Sequence, residues 1–296
     1  MLQRQQQCLF FIEISFCKTM CFPEAHKLKK DVFMPYLDIS KGKMYYEVEG
    51  IGQPLLLIAG LSSDISSWLP IRKQLAKKYR IIMCDNRGIG KTINYMKKVT
   101  IKTMTDDIFK LLEDLNIKNP SVLGHSMGGC IAMQLAINQP KKIRKLILSS
   151  CSAKFSARNK RLLKTLLEIK KSNLNFEEWL TNLFYWIFSP DNFEDETFIK
   201  NAFKFAENNI KLQTIEQFAL QVEAILNFNV NEQLSKINTK TLLIAAENDI
   251  LTQLESMKKI ESQIPNSKLV IIRNCAHSIP AEKPLRFAEL ITNYLG

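Results

Sequence analysis

This chain lacks cysteines at metal-ligand spacing, apolar runs of membrane-spanning length and long runs of basic residues. The seven cysteines show no C-x-x-C or other ligand spacing, which gives no support to a structural zinc site. The apolar stretch Cys8–Phe16 is interrupted by Glu13 and is too short to span a bilayer. Lysine and arginine outnumber aspartate and glutamate by 41 to 29, but no long basic run carries the excess. We interpret the charge as a solvated lysine-rich surface and expect no nucleic-acid partner.

The length suits one α/β domain, alone or with an insertion, and the composition is typical of a soluble globular protein. The chain has 296 residues, of which 46% are hydrophobic and 24% charged. The cysteines in predicted strands and helices are interpreted as small buried side chains in a reducing compartment. We therefore expect a cytoplasmic monomer or small homo-oligomer without stable membrane insertion. Residues 1–33 have no clear period or convincing cleavage site and are predicted to be a weakly ordered extension, with a targeting role as the alternative.

Apolar periodicity predicts alternating strands and helices in 34–150 and again in 238–296. Tyr36–Ser40 and Lys43–Glu49 alternate around a short turn, as in a hairpin, and Pro54–Ala59 is apolar throughout, as in a buried strand. The predicted fold class is α/β, with a mostly parallel twisted sheet, an N-terminal antiparallel hairpin and helices on both faces. The other predicted strands are Tyr79–Asp85, Ser121–His125, Ile143–Ser149, Lys240–Glu247 and Lys268–Asn274, and the predicted helices are Ile65–Lys78, Thr103–Leu115, Ile131–Asn138, Gln253–Gln263 and Pro284–Tyr294.

Residues 151–237 interrupt this alternation after the sixth predicted strand. The segment is helical in pattern and holds 13 of the chain's aromatic residues. Most of these aromatics are expected to pack helices together. Those between 179 and 188 cluster tightly enough to line a pocket, and the candidates are Trp179, Phe184 and Trp186.

The pentapeptide Gly124-His-Ser-Met-Gly128 fits the pattern G-x-S-x-G. It ends a predicted strand and precedes a helical pattern that starts at Cys130. A serine on such a sharp turn has strained backbone geometry, and small residues on either side let the strand and helix approach closely. The turn exposes the Ser126 hydroxyl and aims the first amides of the helix at the same point. Ser126 is therefore the candidate nucleophile.

A serine hydroxyl needs a base to take its proton and an acid to orient that base. The chain has only three histidines. His26 lies in the irregular extension, and His125 is too close to Ser126 in the chain to fold back onto it. His277 follows the predicted strand Lys268–Asn274 and is the candidate base by elimination, with an unengaged loop histidine as the alternative.

The orienting acid is expected at the end of another strand. Asp249 follows the predicted strand Lys240–Glu247 and precedes His277, which gives the chain order Ser, Asp, His expected of this constellation. Glu247 is the competing candidate, and its other interpretation is a carboxylate that faces water.

Two backbone N–H groups are needed where negative charge develops on a substrate oxygen, since losing one such donor raises the barrier by roughly 3–4 kcal/mol. Met127, directly after the candidate nucleophile, supplies one. The other is assigned to Leu61 in the loop Ala59–Ser62, where Gly60 permits the turn. A further glycine turn, Asp85-Asn-Arg-Gly-Ile-Gly90, lacks the third glycine of a dinucleotide loop and is interpreted as structural, so no cofactor or metal is expected.

The motifs Ala59-Gly-Leu61, Asp85–Gly90 and Gly124-His-Ser-Met-Gly-Gly129, followed by the candidate acid and base, resemble the α/β-hydrolase superfamily over about residues 36–296. The chain is most similar to its small cap-bearing serine hydrolases, which include 3-oxoadipate enol-lactonase, aminoacrylate hydrolase and simple carboxylesterases. The resemblance implies that 151–237 form a cap that helps to shape the substrate pocket. Serine in place of aspartate as the nucleophile argues against the superfamily's dehalogenases and epoxide hydrolases.

These observations favour a cofactor-free serine hydrolase that cleaves a small to medium carboxylic ester or lactone through an acyl-enzyme. Two alternatives stay open. The same three residues would also serve carbamate or amide hydrolysis, C–C bond hydrolysis or acyl transfer, which a substrate panel separates. A ligand-binding receptor with a vestigial site would instead show slow or single turnover with a tightly bound product.

Overall fold

The computed structural model describes residues 36–172, 174–209 and 213–296, so the predicted extension 1–33 lies outside the described residues. None of the described helices is long and apolar enough to cross a membrane. The strands are β1 Tyr36–Ile39, β2 Gly42–Glu49, β3 Gln53–Ile58, β4 Tyr79–Cys84, β5 Ile93–Asn94, β6 Ser121–His125, β7 Leu146–Ser149, β8 Thr241–Ala246 and β9 Ser267–Ile272, and the helices are α1 Leu69–Ala76, α2 Ile101–Asp114, α3 Met127–Asn138, α4 Ala157–Lys171, α5 Phe176–Ile187, α6 Pro190–Phe193, α7 Glu196–Asn209, α8 Ile215–Leu226, α9 Leu254–Gln263, α10 Ile279–Glu282 and α11 Pro284–Leu295.

The strands form one twisted sheet in the order β1-β2-β4-β3-β6-β7-β8-β9, with β5 beside β2. β1, β4 and β5 pair with β2 antiparallel, and every pair from β4 to β9 is parallel. The predicted fold class, with its parallel sheet and N-terminal antiparallel hairpin, is confirmed. The carboxyl ends of the parallel strands meet at one edge, and the loops that follow β3, β6, β8 and β9 therefore lie close together.

Two apolar clusters cover the two faces of the sheet. Along β3, Leu56 and Ile58 belong to the cluster under α2 and α3, whereas Leu55 and Leu57 belong to the cluster under α1 and α11. All four side chains are fully buried. Alternate side chains of a strand point to opposite faces, so a central strand covered on both sides is apolar at every position.

Helices α4–α8 lie between β7 and β8, and we call them the inserted helices. Their flanking segments meet, since Lys154 and Asn229 form an isolated antiparallel bridge and Val230 N donates to Ala153 O at 2.9 Å. Buried side chains of the inserted helices belong to the same apolar cluster as α2 and α3. The insertion therefore shares its core with the sheet.

The predicted position of the insertion, after the sixth strand, is wrong by one strand. The short β5 precedes β6, and it pairs Ile93 and Asn94 with Lys43 and Gly42 of β2. Two residues carry no readable periodicity, so the sequence pattern did not predict this strand. The insertion consequently follows the seventh strand.

Several element boundaries also differ from the pattern. Helix α1 begins at Leu69 rather than Ile65, after a 3-10 turn at Ile65–Trp68. α3 begins at Met127 rather than Ile131, because its first turn contains two glycines that hide the apolar period. α2 begins at Ile101, where the Thr100 hydroxyl accepts a hydrogen bond from Thr103 N at 3.0 Å. β7 begins at Leu146, three residues later than predicted.

Candidate active site

Ser126 occupies the sharp turn between β6 and α3. Its backbone has φ 54° and ψ −120°, a conformation that is costly for a residue with a side chain. A methyl group on Gly124 would overlap the Gly128 carbonyl, and one on Gly128 would overlap the Ile58 carbonyl. The two glycines of the pentapeptide are therefore required by close approach of the strand and the helix. The strained turn is held by Ser126 N, which donates to Ser149 O at 2.9 Å.

The structure brings the three predicted catalytic candidates into contact. Ser126 Oγ lies 3.0 Å from His277 Nε2, and His277 Nδ1 lies 2.9 Å from Asp249 Oδ2. Each residue stands beyond the carboxyl end of a different parallel strand. This is the arrangement in which an imidazole can take a proton from the hydroxyl while the carboxylate fixes its tautomer.

Asp249 is buried and accepts hydrogen bonds with both oxygens. Leu251 N and Thr252 N donate to Oδ1 at 2.9 and 2.8 Å, and the Thr252 hydroxyl donates to Oδ2 at 2.7 Å. Burial raises the Asp249 pKa, but the His277 imidazole and the Thr252 hydrogen bonds outweigh it, so the pKa lies below its ordinary value. Asp249 is therefore the ionised partner of His277. The competing candidate, Glu247, is exposed and accepts a hydrogen bond from Asn274 N at 3.1 Å.

His125 lies beside this contact chain without joining it. Its ring centroid is 5.1 Å from that of His277, and its Nδ1 lies 3.2 Å from the Ser149 hydroxyl. Burial and the neighbouring His277 lower the His125 pKa to about 3. A neutral His125 adds no positive charge next to the candidate base.

The two predicted oxyanion donors belong to the residue after Ser126 and to the loop that approaches Ser126 at Gly60. Within the described residues, neither Leu61 N nor Met127 N has a hydrogen-bond acceptor. Gly60 brings the first loop close, since a methyl group there would stand 3.0 Å from Ser126 Cβ and 3.5 Å from Oγ. Both amides thus stay candidate donors to a substrate oxygen bound at Ser126.

A cavity of about 200 Å³ opens at Ser126 and extends among the inserted helices. Trp179, Phe184 and Trp186, the three predicted candidates, all line it. The Trp179 ring packs edge-on against Phe218, another lining residue, with centroids 5.7 Å apart. Tyr185, in the same aromatic cluster, is 63% exposed and does not line the cavity.

Sequence reasoning missed two sets of residues that support the site. Thr252 bonds the Asp249 carboxylate, and its only signal is a hydroxyl three residues after the acid. The turn at Asp85 and Asn86 supports the candidate oxyanion loop, because Asn86 Nδ2 donates to Ala59 O at 3.0 Å and Ile65 N donates to Asp85 Oδ1 at 2.9 Å. These contacts join loops that are far apart in the chain. Across the described ranges, His, Cys, Asp and Glu form no group of three or more that could hold a metal ion.

Comparison of the whole sequence with known protein families identifies the family of this chain. The alpha/beta hydrolase fold family matches residues 53–284, which is well over half of the chain. The chain belongs to the α/β-hydrolase fold family. The resemblance inferred from the sequence motifs is thereby confirmed, and the protein is an α/β hydrolase.

Known α/β hydrolases resemble the chain over most of its length. RutD from Azorhizobium caulinodans, a proposed carbamate hydrolase, is 26% identical over 266 residues, which cover 89% of this chain and 98% of RutD. A solved hydrolase from Pseudomonas aeruginosa has a TM-score of 0.81 at 21% identity and covers 90% of this chain and 100% of its own. The enol-lactonase from Burkholderia xenovorans LB400 has a TM-score of 0.80 at 20% identity, with 88% and 99% covered. The solved structures establish a shared fold.

Proposed function

We propose that this α/β hydrolase is a serine hydrolase that cleaves a small to medium carboxylic ester or lactone through an acyl-enzyme. The observation that carries the proposal is the contact chain from Ser126 Oγ through His277 to Asp249, at 3.0 and 2.9 Å. Ser126 and His277 of this contact chain line an apolar cavity, so a substrate bound there can place its carbonyl against Ser126.

Acylation begins when Ser126 Oγ attacks the ester carbonyl and His277 Nε2 takes its proton. The tetrahedral oxygen then becomes negative and accepts hydrogen bonds from Leu61 N and Met127 N. Asp249 stabilises the imidazolium that forms on His277. The imidazolium protonates the departing oxygen, the bond from carbonyl carbon to that oxygen breaks, and the acyl group remains on Ser126.

Deacylation repeats these steps with water in place of the serine. His277 takes a proton from the water, whose oxygen attacks the acyl carbon. The Ser126–acyl bond breaks, and the serine oxygen recovers its proton from the imidazolium. The two-step route replaces one difficult hydrolysis by two easier displacements.

The side chains that line the cavity favour a substrate with an uncharged, apolar acyl group. Its inserted-helix side consists mainly of aliphatic and aromatic side chains, among them Leu163, Leu166, Trp179 and Phe218. Among the described residues that line the cavity there is no lysine or arginine, and Asp64 contributes a carboxylate. A carboxylate carried by the acyl chain would lose its hydration without contacting a cationic side chain of this lining, which is unfavourable. Lys170 is not a lining residue, and its ammonium is engaged over the Trp179 ring at 4.3 Å. The inserted helices therefore act as the cap that selects the acyl group.

Carbamate hydrolysis is the second candidate function, because the RutD relative is a proposed carbamate hydrolase. The same serine, base and oxyanion donors would attack a carbamate carbonyl. Amide hydrolysis, C–C bond hydrolysis and acyl transfer use the same groups and differ in the leaving group or acceptor. No contact in the described residues favours the receptor alternative.

The decisive experiment measures hydrolysis of p-nitrophenyl esters from acetate to palmitate by wild type and Ser126→Ala. Ser262→Ala removes an exposed hydroxyl on α9 and is the matched control. We expect turnover by wild type and the control, with a maximum at short to medium chain length, and none by Ser126→Ala. The p-nitrophenyl hemisuccinate ester should react much more slowly than the butyrate ester. Turnover of a carbamate panel with no ester turnover would favour the second candidate, and Ser126→Ala with substantial residual turnover would refute the nucleophile assignment.

A further inference from the structure

We propose that Gln221 of α8 is a positioning residue that holds the oxyanion loop in its working conformation. This inference rests on the proposed function of the site. It makes the direction of the Leu61 N–H depend on the position of α8 against the sheet. The insertion would then orient an oxyanion donor as well as enclose the acyl group.

Gln221 is completely buried and uses both ends of its amide. Its Oε1 accepts from Ser62 N at 3.1 Å, and its Nε2 donates to Arg87 O at 2.8 Å. Only this orientation of the amide satisfies both partners, because the reverse would set an NH₂ group against Ser62 N–H and an oxygen against a carbonyl. The side chain therefore bridges two loops of the sheet edge from a helix of the insertion.

Ser62 has a backbone conformation that needs support. Its φ is 58°, in the left-handed region that residues with a side chain occupy at a cost. Ser62 N–H lies in the Leu61–Ser62 peptide unit, and Leu61 N–H lies in the preceding Gly60–Leu61 unit. The two units share the Leu61 Cα, so the orientation of the first amide is coupled to that of the second through the Leu61 backbone dihedrals. Loss of the hydrogen bond to Gln221 would let Ser62 relax to a more common conformation and would turn the Leu61 amide away from Ser126.

Arg87, the other partner of Gln221, is a rigid anchor. Its side chain is fully buried, with Nε and Nη2 on the two oxygens of Asp107 in α2 at 2.5 and 2.8 Å. A buried two-point ion pair of this kind fixes the orientation of the residue that carries it. The Arg87 carbonyl therefore offers Gln221 a fixed acceptor.

The segment Ala59–Ile65, which contains the oxyanion loop, is thus held at three points along its length. Asn86 Nδ2 holds Ala59 O, and Asp85 Oδ1 holds Ile65 N, so both ends are fixed by the core turn itself. The middle, at Ser62, is held by Gln221 from α8. The two core contacts persist if α8 shifts, whereas the middle contact does not. The position of α8 therefore controls the conformation of the part of the loop that carries the Leu61 N–H donor.

The test compares wild type, Gln221→Met and Gln221→Glu on p-nitrophenyl butyrate. Methionine keeps the length of the side chain and removes both hydrogen bonds. Glutamate, in the neutral form that burial favours, keeps an acceptor for Ser62 N and a hydroxyl donor for Arg87 O. We expect Gln221→Met to lower kcat by about tenfold or more with KM within about twofold, since the lost interaction acts only on the transition state. Gln221→Glu should recover part of that loss. Gln217→Met is the control, because Gln217 also lies on α8 and bonds Asn94 but does not contact Ser62.

A transition-state analogue separates positioning from packing. A trifluoromethyl ketone forms a hemiketal oxyanion on Ser126, so its inhibition constant should rise in Gln221→Met by the same factor as kcat/KM falls. Butyrate, the product, should bind as in wild type. An unchanged inhibition constant for the ketone, or equal weakening of ketone and butyrate, would overturn the proposal.

Amide hydrogen exchange tests the contact even if no ester is turned over. We expect the Ser62 amide to exchange slowly in wild type and in Gln217→Met, and faster in Gln221→Met. Wild type without serine-dependent turnover would refute the proposed function alone. Unchanged exchange at Ser62 in Gln221→Met would refute the role of Gln221 alone.

Discussion

His277 Nε2 lies 3.0 Å from Ser126 Oγ, although 151 positions separate the two residues in the chain. Ser126 is fixed by the turn after β6, and His277 follows β9 at the far edge of the sheet. The contact therefore forms only when the parallel strands between them have the correct register. A residue pair this distant in sequence makes activity a sensitive measure of whether the whole sheet is assembled.

Ser126 is predicted to lower the stability of the fold while it supplies the nucleophile. The positive φ at Ser126 lowers the stability of the folded state by about 1–3 kcal/mol. Glycine would not have this strain, and its larger conformational entropy in the unfolded chain would lower stability by only about 0.5–1 kcal/mol. Ser126→Gly should therefore raise the free energy of unfolding by about 1 kcal/mol. Ser126→Ala should leave it nearly unchanged, and both variants should be inactive. Urea denaturation of the three proteins checks this, and a destabilised glycine variant would contradict it.

Asp249→Asn should abolish most activity without unfolding the protein. The amide can no longer hold His277 in the required tautomer or stabilise its cation, so kcat should fall by roughly three to four orders of magnitude. Glu247→Gln is the matched control and should stay within about twofold of wild type, because Glu247 is exposed at the end of the same strand. Steady-state kinetics with a p-nitrophenyl ester separate them. A larger loss in Glu247→Gln would transfer the acid role to that residue.

The sequence predicted the fold and the site best where one local pattern determines one structure. The apolar run at β3 predicts a strand covered on both faces. The pentapeptide around Ser126 predicts a strand-to-helix turn, because only small residues fit where the strand, the helix and Ile58 approach each other. With three histidines in the chain, elimination sufficed to choose the candidate base.

Other features depend on contacts that no local pattern records. β5 exists because two residues meet the edge of β2, and Gln221 is a helix-interior glutamine like Gln217 until its partners are known. The aromatic cluster around Trp179 predicted a pocket wall. The clustering itself gives no direction for each side chain, and the structure shows that Trp186 lines the cavity while its neighbour Tyr185 is exposed, since neighbouring residues of a helix face different directions.

Phe184→Leu should shift the chain-length preference towards longer acyl groups. Phe184 lines the cavity and packs against Phe188 and Phe203, with ring centroids 4.9 and 5.0 Å away. Leucine leaves space for about one or two methylene groups, each worth roughly 1 kcal/mol in a fitting pocket, so the ratio of kcat/KM for octanoate to butyrate should rise about five- to thirtyfold. Phe193→Leu, at a partly exposed position of α6 outside the cavity, should leave the ratio unchanged. Equal ratios in the two variants would show that the cavity does not hold the acyl chain.

His125 should make the fold less stable in acid. Its pKa falls from 6.5 to about 3 in the folded state, because burial and His277 disfavour its cation. Between these values the unfolded chain binds a proton that the folded chain does not, so the free energy of unfolding falls as pH is lowered, by up to about 1.4 kcal/mol per pH unit for one proton. His125→Asn keeps an acceptor for the Ser149 hydroxyl and cannot titrate. Its stability, measured by urea denaturation from pH 7 to pH 4, should fall less steeply than that of wild type, and parallel curves would mean that His125 accepts its proton in the folded protein.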